Sequence, residues 1–228
     1  MNFDRLAPHY DWLETLTAGG RLQQARTVWL DELAGRRRIL SAGEGHGRFV
    51  EACATRFPEV EIMGVESSKR MLARALTRTR GIRAHCRWHG GDLLAWEPDG
   101  RYDAVVTCFF LDCFPPEMLE AVVTKLAACA TADATWLVVD FAVPSRGLAG
   151  WRARSVHALM YAFFRCAVAL PARRLTPPDP FLRAHGFVLA GRREFEWGLV
   201  RADLWRRAGA AGSAAPATRS RCSRPRGG

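Results

Sequence analysis

Apolar residues recur in two rhythms along this chain of 228 residues. Short apolar runs at 38–42, 60–65, 82–88, 102–109 and 135–141 predict strands, and the later ones (Ala104-Val105-Val106, Trp136-Leu137-Val138-Val139) are nearly continuous. Such runs suit strands covered on both faces. Between them, apolar positions step by three and four, predicting helices over 48–57, 68–79 and 116–130. The last of these opens on Pro116 with Glu117 in its first turn, a good helix start. Strands alternating with helices of this length predict βαβ units around a parallel sheet. Upstream, helical patterns cover 8–16 and 20–34, the second carrying Leu22, Ala25, Trp29, Leu30 and Leu33.

The rhythm changes after the fifth strand. Residues 147–170 form a long helical stretch rich in Trp151, Met160, Tyr161, Phe163 and Phe164, followed by a proline-rich turn at 177–180 and a short helix to His185. Two strand-like segments, 187–197 and 199–205, meet at Gly198 and predict an antiparallel hairpin. The expected fold is one Rossmann-like, doubly wound α/β domain over 1–205. It has a mostly parallel seven-stranded sheet ending in that hairpin, a helical cap at 1–35 and a helical lid at 147–175. Residues 206–228 are expected to form a disordered basic tail, because they hold no acids and little apolar bulk.

Charge sharpens this division. The formal net charge is +10, and the tail arginines (Arg206, Arg207, Arg219, Arg221, Arg224, Arg226) account for much of it, leaving about +4 on residues 1–205. A basic tail can dock on nucleic acid or anionic lipid, but no aromatics interleave these charges, which disfavours nucleic acid. The seven cysteines form no CxxC pair and no metal-spaced cluster, so reduced thiols, a cytoplasmic location and no bound metal are expected. The start of the chain lacks an apolar signal core, and no uncharged apolar run reaches the roughly 18 residues of a membrane span.

The most informative stretch is Ile39-Leu40-Ser41-Ala42-Gly43-Glu44-Gly45-His46-Gly47-Arg48-Phe49. A strand empties into three alternate glycines and a helix follows. Glycine permits positive φ and close ligand approach, and the helix start offers unpaired amides. Position 48 is arginine, so the G-x-G-x-x-G of dinucleotide sites is missing, and no phosphate-loop G-x-x-x-x-G-K-[ST] occurs.

G-x-G-x-G after the first strand resembles motif I of class I S-adenosylmethionine-dependent methyltransferases. Glu66 at the end of the second strand, Asp92 in Gly90-Gly91-Asp92-Leu93, and Asp103 in Tyr102-Asp103-Ala104-Val105 continue the resemblance in order over about residues 36–141. The resemblance implies S-adenosylmethionine as cofactor. Gly43, Gly45 and Gly47 would cradle it, Glu66 would accept both ribose hydroxyls, Asp92 would take the adenine amino group and Leu93 would wall the adenine. One departure stands out: the family usually has an acid two residues before the first glycine, where this chain has Ser41. Glu44 is the candidate replacement near the methionine ammonium group; the alternative is that this contact is absent.

The acceptor side rests on three features. Asp112, in the loop beyond the fourth strand, is the candidate for binding acceptor or taking a proton, against a plain reading as cap of the helix at 116. The opening Ala7-Pro8-His9-Tyr10-Asp11 resembles the N-terminal cap of quinone-biosynthesis C-methyltransferases, which implies that Tyr10 closes over the cofactor. His157 in the apolar lid is a candidate base, although a lone histidine there is more often packed. An apolar lid flanked by arginines suits a small hydrophobic or aromatic acceptor, or peripheral contact with a membrane surface. Two alternatives remain: an RNA or protein methyltransferase guided by the basic tail, and a non-catalytic cofactor-binding module of the same fold.

Overall fold

The computed structural model describes residues 19–142 and 175–208. Tyr10, the helix expected at 8–16, the lid with His157, and residues 209–228 lie outside the described residues. In chain order the elements are α1 (Gly19–Thr27), β1 (Arg38–Ala42), α2 (Arg48–Arg56), β2 (Glu61–Glu66), α3 (Lys69–Arg78), β3 (His85–Gly90) and β4 (Tyr102–Cys108). They continue with α4 (Pro116–Cys129), β5 (Ala130–Phe141), α5 (Asp179–Ala184), β6 (Phe187–Phe195) and β7 (Val200–Arg207). The seven strands form one sheet in the order β3-β2-β1-β4-β5-β7-β6. Five strands pair in parallel, and β7 inserts antiparallel between β5 and β6.

Alternation along the strands builds two cores. Successive side chains point to opposite faces, so Ile39, Ala104 and Leu137 pack with Ala25 of α1 and Phe49 and Val50 of α2. Leu40, Val105 and Trp136 pack on the other face with Leu119 and Val122 of α4 and Leu182 of α5. Each fully buried large side chain contributes about 1.5–3 kcal/mol relative to exposure. The continuous apolar runs in the sequence are thus explained by a sheet covered on both sides.

Two local differences from expectation have clear causes. The helix expected over 20–34 ends at Thr27, and a separate short 3-10 turn follows at Leu30–Leu33. Trp29 lies between them, and its indole Nε1 donates to the Ala202 carbonyl of β7 at 3.0 Å, tying the junction to the sheet. At the far end, Arg206 and Arg207 belong to β7 and not to a tail. Arg206 pairs with Glu32 at 2.7 Å, and Arg207 donates to the Ala130 and Thr131 carbonyls at 3.0 and 3.1 Å.

Candidate functional site

The turn from β1 to α2 makes the floor of a cavity of about 430 Å³ at the carboxyl ends of β1 and β2. Gly43, Gly45 and Gly47 all adopt left-handed backbone, at φ of 65°, 65° and 83°. Their uses differ. A Cβ on Gly43 would lie 1.9 Å from the Phe110 ring, and a Cβ on Gly47 would lie 3.0 Å from the Ala75 backbone of α3. Gly43 and Gly45 line the cavity, whereas Gly47 starts α2 and lets it pack on α3, outside the wall.

Glu66 ends β2 beside this turn and is 6% exposed. Its Oε2 accepts from Gly45 N at 2.8 Å and its Oε1 from Ser68 N at 2.7 Å. Each carboxylate oxygen can accept a second donor. Burial pushes the Glu66 carboxyl up to about 7, against the lowering effect of those amides. Asp92 is exposed at the rim of the same cavity, where its Oδ1 accepts from Leu94 N at 3.0 Å, and Leu93 is buried in the wall beside it.

Ser41 and Glu44 form a linked pair. The Ser41 hydroxyl donates to Glu44 Oε2 at 2.6 Å, while Oε1 accepts from Phe49 N at 2.8 Å and Val50 N at 3.3 Å. The carboxylate absent from position 41 therefore stands directly against it, held at the start of α2 where the helix dipole favours negative charge. Burial raises the Glu44 pKa, opposed by these hydrogen bonds and by the nearby charge of Arg26.

The opposite wall is aromatic. Phe110 meets Phe114 edge-on at 5.0 Å, and both line the cavity with Phe109, Met118 and Val122. Phe109 takes left-handed backbone at φ 54°, rare for a bulky residue. Its ring packs against Phe141 and lies 4.9 Å below the Arg26 guanidinium.

Asp112 lies behind this wall and does not line the cavity. It sits in a short 3-10 turn, Leu111–Cys113, and does not cap α4, whose first residues have no side-chain cap. The Phe141 amide and the Cys113 thiol, whose Sγ is 3.6 Å from Oδ1, donate to its carboxyl. Its neighbour Asp140 accepts from Phe110 N at 3.0 Å through Oδ1, while Oδ2 is buried without a hydrogen-bond partner. Burial raises Asp112 to about 6; burial and the Asp112 charge raise Asp140 well above the usual carboxylate range. Each carboxyl's charge disfavours ionisation of the other. Asp103 lies at the other end of β4, where it accepts from Arg37 N and Arg38 N at 2.8 and 3.0 Å and fixes the start of β1.

The sequence reading missed Arg26 and Asp140, and from the loop carrying Phe109, Phe110 and Phe114 it singled out Asp112 and not the aromatic rings. A signal existed for Arg26: with Leu22, Ala25 and Trp29 it completes an i, i+3, i+4, i+7 stripe as its one charged member.

Comparisons with known proteins bear on this arrangement. A family described as a methyltransferase domain matches residues 39–133. The ubiquinone/menaquinone biosynthesis C-methyltransferase of Syntrophotalea carbinolica is 38% identical over 78 residues, which cover 33% of this chain and 33% of that protein. The chain thus matches a third of that relative's length. Among solved structures, mitomycin 7-O-methyltransferase has a TM-score of 0.68 at 20% identity, covering 91% of this chain and 61% of that one. Magnesium protoporphyrin IX methyltransferase from Synechocystis, solved with bound S-adenosylhomocysteine, has a TM-score of 0.63 at 21% identity, covering 90% and 94%. At these identities the structural likeness speaks for the fold.

Proposed function

We propose that the protein transfers a methyl group from S-adenosylmethionine to a small hydrophobic or aromatic acceptor, in keeping with the match of residues 39–133 to a methyltransferase domain. The observation that carries this reading is the convergence of Gly43, Gly45, Glu66, Asp92 and Leu93 on one cavity. These residues come from the ends of three successive strands, and their donors and acceptors suit a nucleoside.

S-adenosylmethionine, when bound, supplies a methyl group made electrophilic by its sulfonium. The chain's own residues bind and orient. The Gly43–Gly45 backbone would admit a ligand at contact distance, and Glu66, which accepts amide hydrogen bonds from Gly45, Ser68 and Ser67, would turn its remaining lone pairs to ribose hydroxyls. Asp92 would accept from the adenine amino group and Leu93 would wall the ring. Phe109, Phe110, Phe114 and Met118 exclude water and favour an apolar acceptor. An in-line displacement needs little more than such alignment, which lowers barriers by roughly 7–11 kcal/mol in well-oriented systems.

The test is calorimetric titration with S-adenosylmethionine and S-adenosylhomocysteine, followed by mass-spectrometric detection of methylated small molecules in a cell extract. Binding of both with transfer into an apolar fraction is expected. No binding of either compound defeats the proposal, and methylation confined to RNA or protein replaces the acceptor class.

A further inference from the structure

From Ser67 to Gly91 the chain has one lysine, six arginines and no acid. This stretch forms α3 and β3, the strand at one edge of the sheet. Folding explains the inner side of α3. Ser68 caps the helix by accepting from Met71 N at 3.2 Å, Met71 and Ala75 are buried, and Ala75 meets Gly47. Folding does not explain the outer side. Lys69 and Arg70 occupy the first turn, where the helix dipole disfavours cations, and no acid is there to offset them. Lys69, Ala73 and Leu76 step along the outer face by four and three, and Arg80 follows in the turn beyond the helix; each of the four is exposed. The side chains of Lys69 and Arg80 make no hydrogen bond or ion pair among the described residues. Leu76 between them is 50% exposed. Towards β3, Arg83 and Arg87 lie 3.9 and 2.7 Å from Glu59 and Asp99. The Arg83–Glu59 pair is almost fully exposed on both sides, and such pairs contribute little.

Cations set around an exposed leucine suit a surface that offers anions with an apolar layer beneath them. A nucleic-acid backbone offers the anions but nothing for Leu76, and no Phe, Tyr or Trp between 67 and 91 is exposed to stack on a base. We propose that the outer face of α3, with the β3 edge beside it, docks on the anionic surface of a lipid bilayer. Lys69 and Arg80 then sit among the headgroups, and Leu76 reaches the acyl boundary between them. Docking does not depend on the methyl-transfer reading. For the proposed reaction it has a use: Ser67, just before α3, and Met71, in its first turn, line the cavity, so docking sets the cavity beside the phase in which a hydrophobic acceptor dissolves.

The test is sedimentation of the full chain with vesicles of phosphatidylcholine, with and without about one third phosphatidylglycerol. Binding to the anionic vesicles alone is expected. It should fade as salt rises from about 0.1 to 1 M and the Debye length falls from about 10 to 3 Å. Each surface cation strengthens such binding on the order of fivefold. Lys69→Gln with Arg80→Gln should therefore weaken it roughly 10- to 30-fold, and Leu76→Gln should weaken it about threefold. Lys69→Arg with Arg80→Lys keeps both charges and should bind as the native chain does, and unchanged urea midpoints show that the substituted chains fold. No binding to the anionic vesicles, or equal binding to the neutral ones, overturns the proposal. So does undiminished binding by the glutamine pair, which moves the attraction to another basic segment such as 219–226. Duplex RNA that displaces the vesicles, and whose own binding is lost in the glutamine pair, assigns the face to nucleic acid and overturns the lipid. Calorimetry with S-adenosylmethionine is read separately, so this proposal and the proposed function can each fail alone.

Discussion

The two ends of the parallel sheet use the same charged residue types in opposite ways. At the amino ends, acids meet arginines. Arg38 pairs with Glu61 at 3.2 Å and Asp99 at 2.9 Å, and Arg36 pairs with Asp133 at 3.4 Å. At the carboxyl ends, Glu44 and Glu66 are buried and held chiefly by backbone amides. A more open depression lies at the amino ends, among Arg36, Arg37, Arg38, Glu59 and Glu61, so a hollow alone does not mark the site. What marks it is buried acids lining a cavity: at the amino ends Glu61 and Asp99 are spent on ion pairs and Asp103 on the Arg37 and Arg38 amides, whereas Glu44 and Glu66 face the hollow.

The sharpest way to break this comparison is a matched pair of glycine substitutions. Gly43→Ala forces a side chain onto left-handed backbone and into the Phe110 ring. It should reduce S-adenosylhomocysteine affinity at least about a hundredfold by calorimetry, equivalent to roughly 3 kcal/mol. Gly35→Ala, at the amino ends, is equally left-handed but meets open space. It should cost only about 1 kcal/mol in urea unfolding and leave affinity unchanged.

Next come the acids. Glu66→Gln should weaken S-adenosylhomocysteine about ten- to a hundredfold, because an amide nitrogen cannot accept from a ribose hydroxyl or from Gly45 N. Asp103→Asn should instead lower unfolding stability by about 1 kcal/mol, through the lost acceptor for the Arg37 or Arg38 amide, with affinity intact. An affinity loss in Asp103→Asn, or none in Glu66→Gln, would dissolve the distinction between the two ends.

The pH dependence is a subtler probe. Folding raises the Glu66 pKa from 4.5 to about 7, so the folded state binds the extra proton between these values. The contribution of Glu66 to apo stability is then full below pH 4.5 and lost as pH rises through about 7. Ligand binding should run the other way, tightening as Glu66 ionises through the same window. Unfolding and calorimetry at pH 5 and pH 8 read both slopes, and Glu66→Gln should flatten each. The smallest effect belongs to Glu61→Gln. It removes a half-exposed ion pair and should change stability by less than about 1 kcal/mol without affecting binding.

The half of the cavity proposed to hold a nucleoside was legible in the sequence because it is local to strand ends. Gly43, Gly45, Glu66 and Asp92 each follow an apolar run within one to four residues, so periodicity brings them to the carboxyl ends of the strands, and the resemblance to methyltransferase motifs singles them out there. The strands and helices from 38 to 141 were legible for the same reason, with ends displaced by a few residues. Asp112 read as exposed loop chemistry, yet Phe141 and Cys113 draw it inward, and no pattern local to residue 112 encodes a contact with the end of β5. Gly47 read as part of the ligand loop, whereas its neighbour is Ala75 on another helix. Arg26 and Asp140 were hidden because each sits on an apolar stripe, where the eye counts the apolar members. Arg206 and Arg207 looked like tail because composition cannot register a strand that pairs with residues 70 positions earlier.

The insertion of β7 between β5 and β6 also constrains how the chain is made. Residues 43–122, which line the cavity beyond Arg26, leave the ribosome before the sheet can close. Until β7 emerges, the outer edge of β5 offers unpaired amides and carbonyls to any neighbouring chain. Strand β6 cannot complete the sheet earlier, because its partner is β7. A nascent chain stalled before residue 200 would hold the proposed cofactor-binding half together with an adhesive edge. Cofactor present during synthesis should therefore improve the yield of monomer.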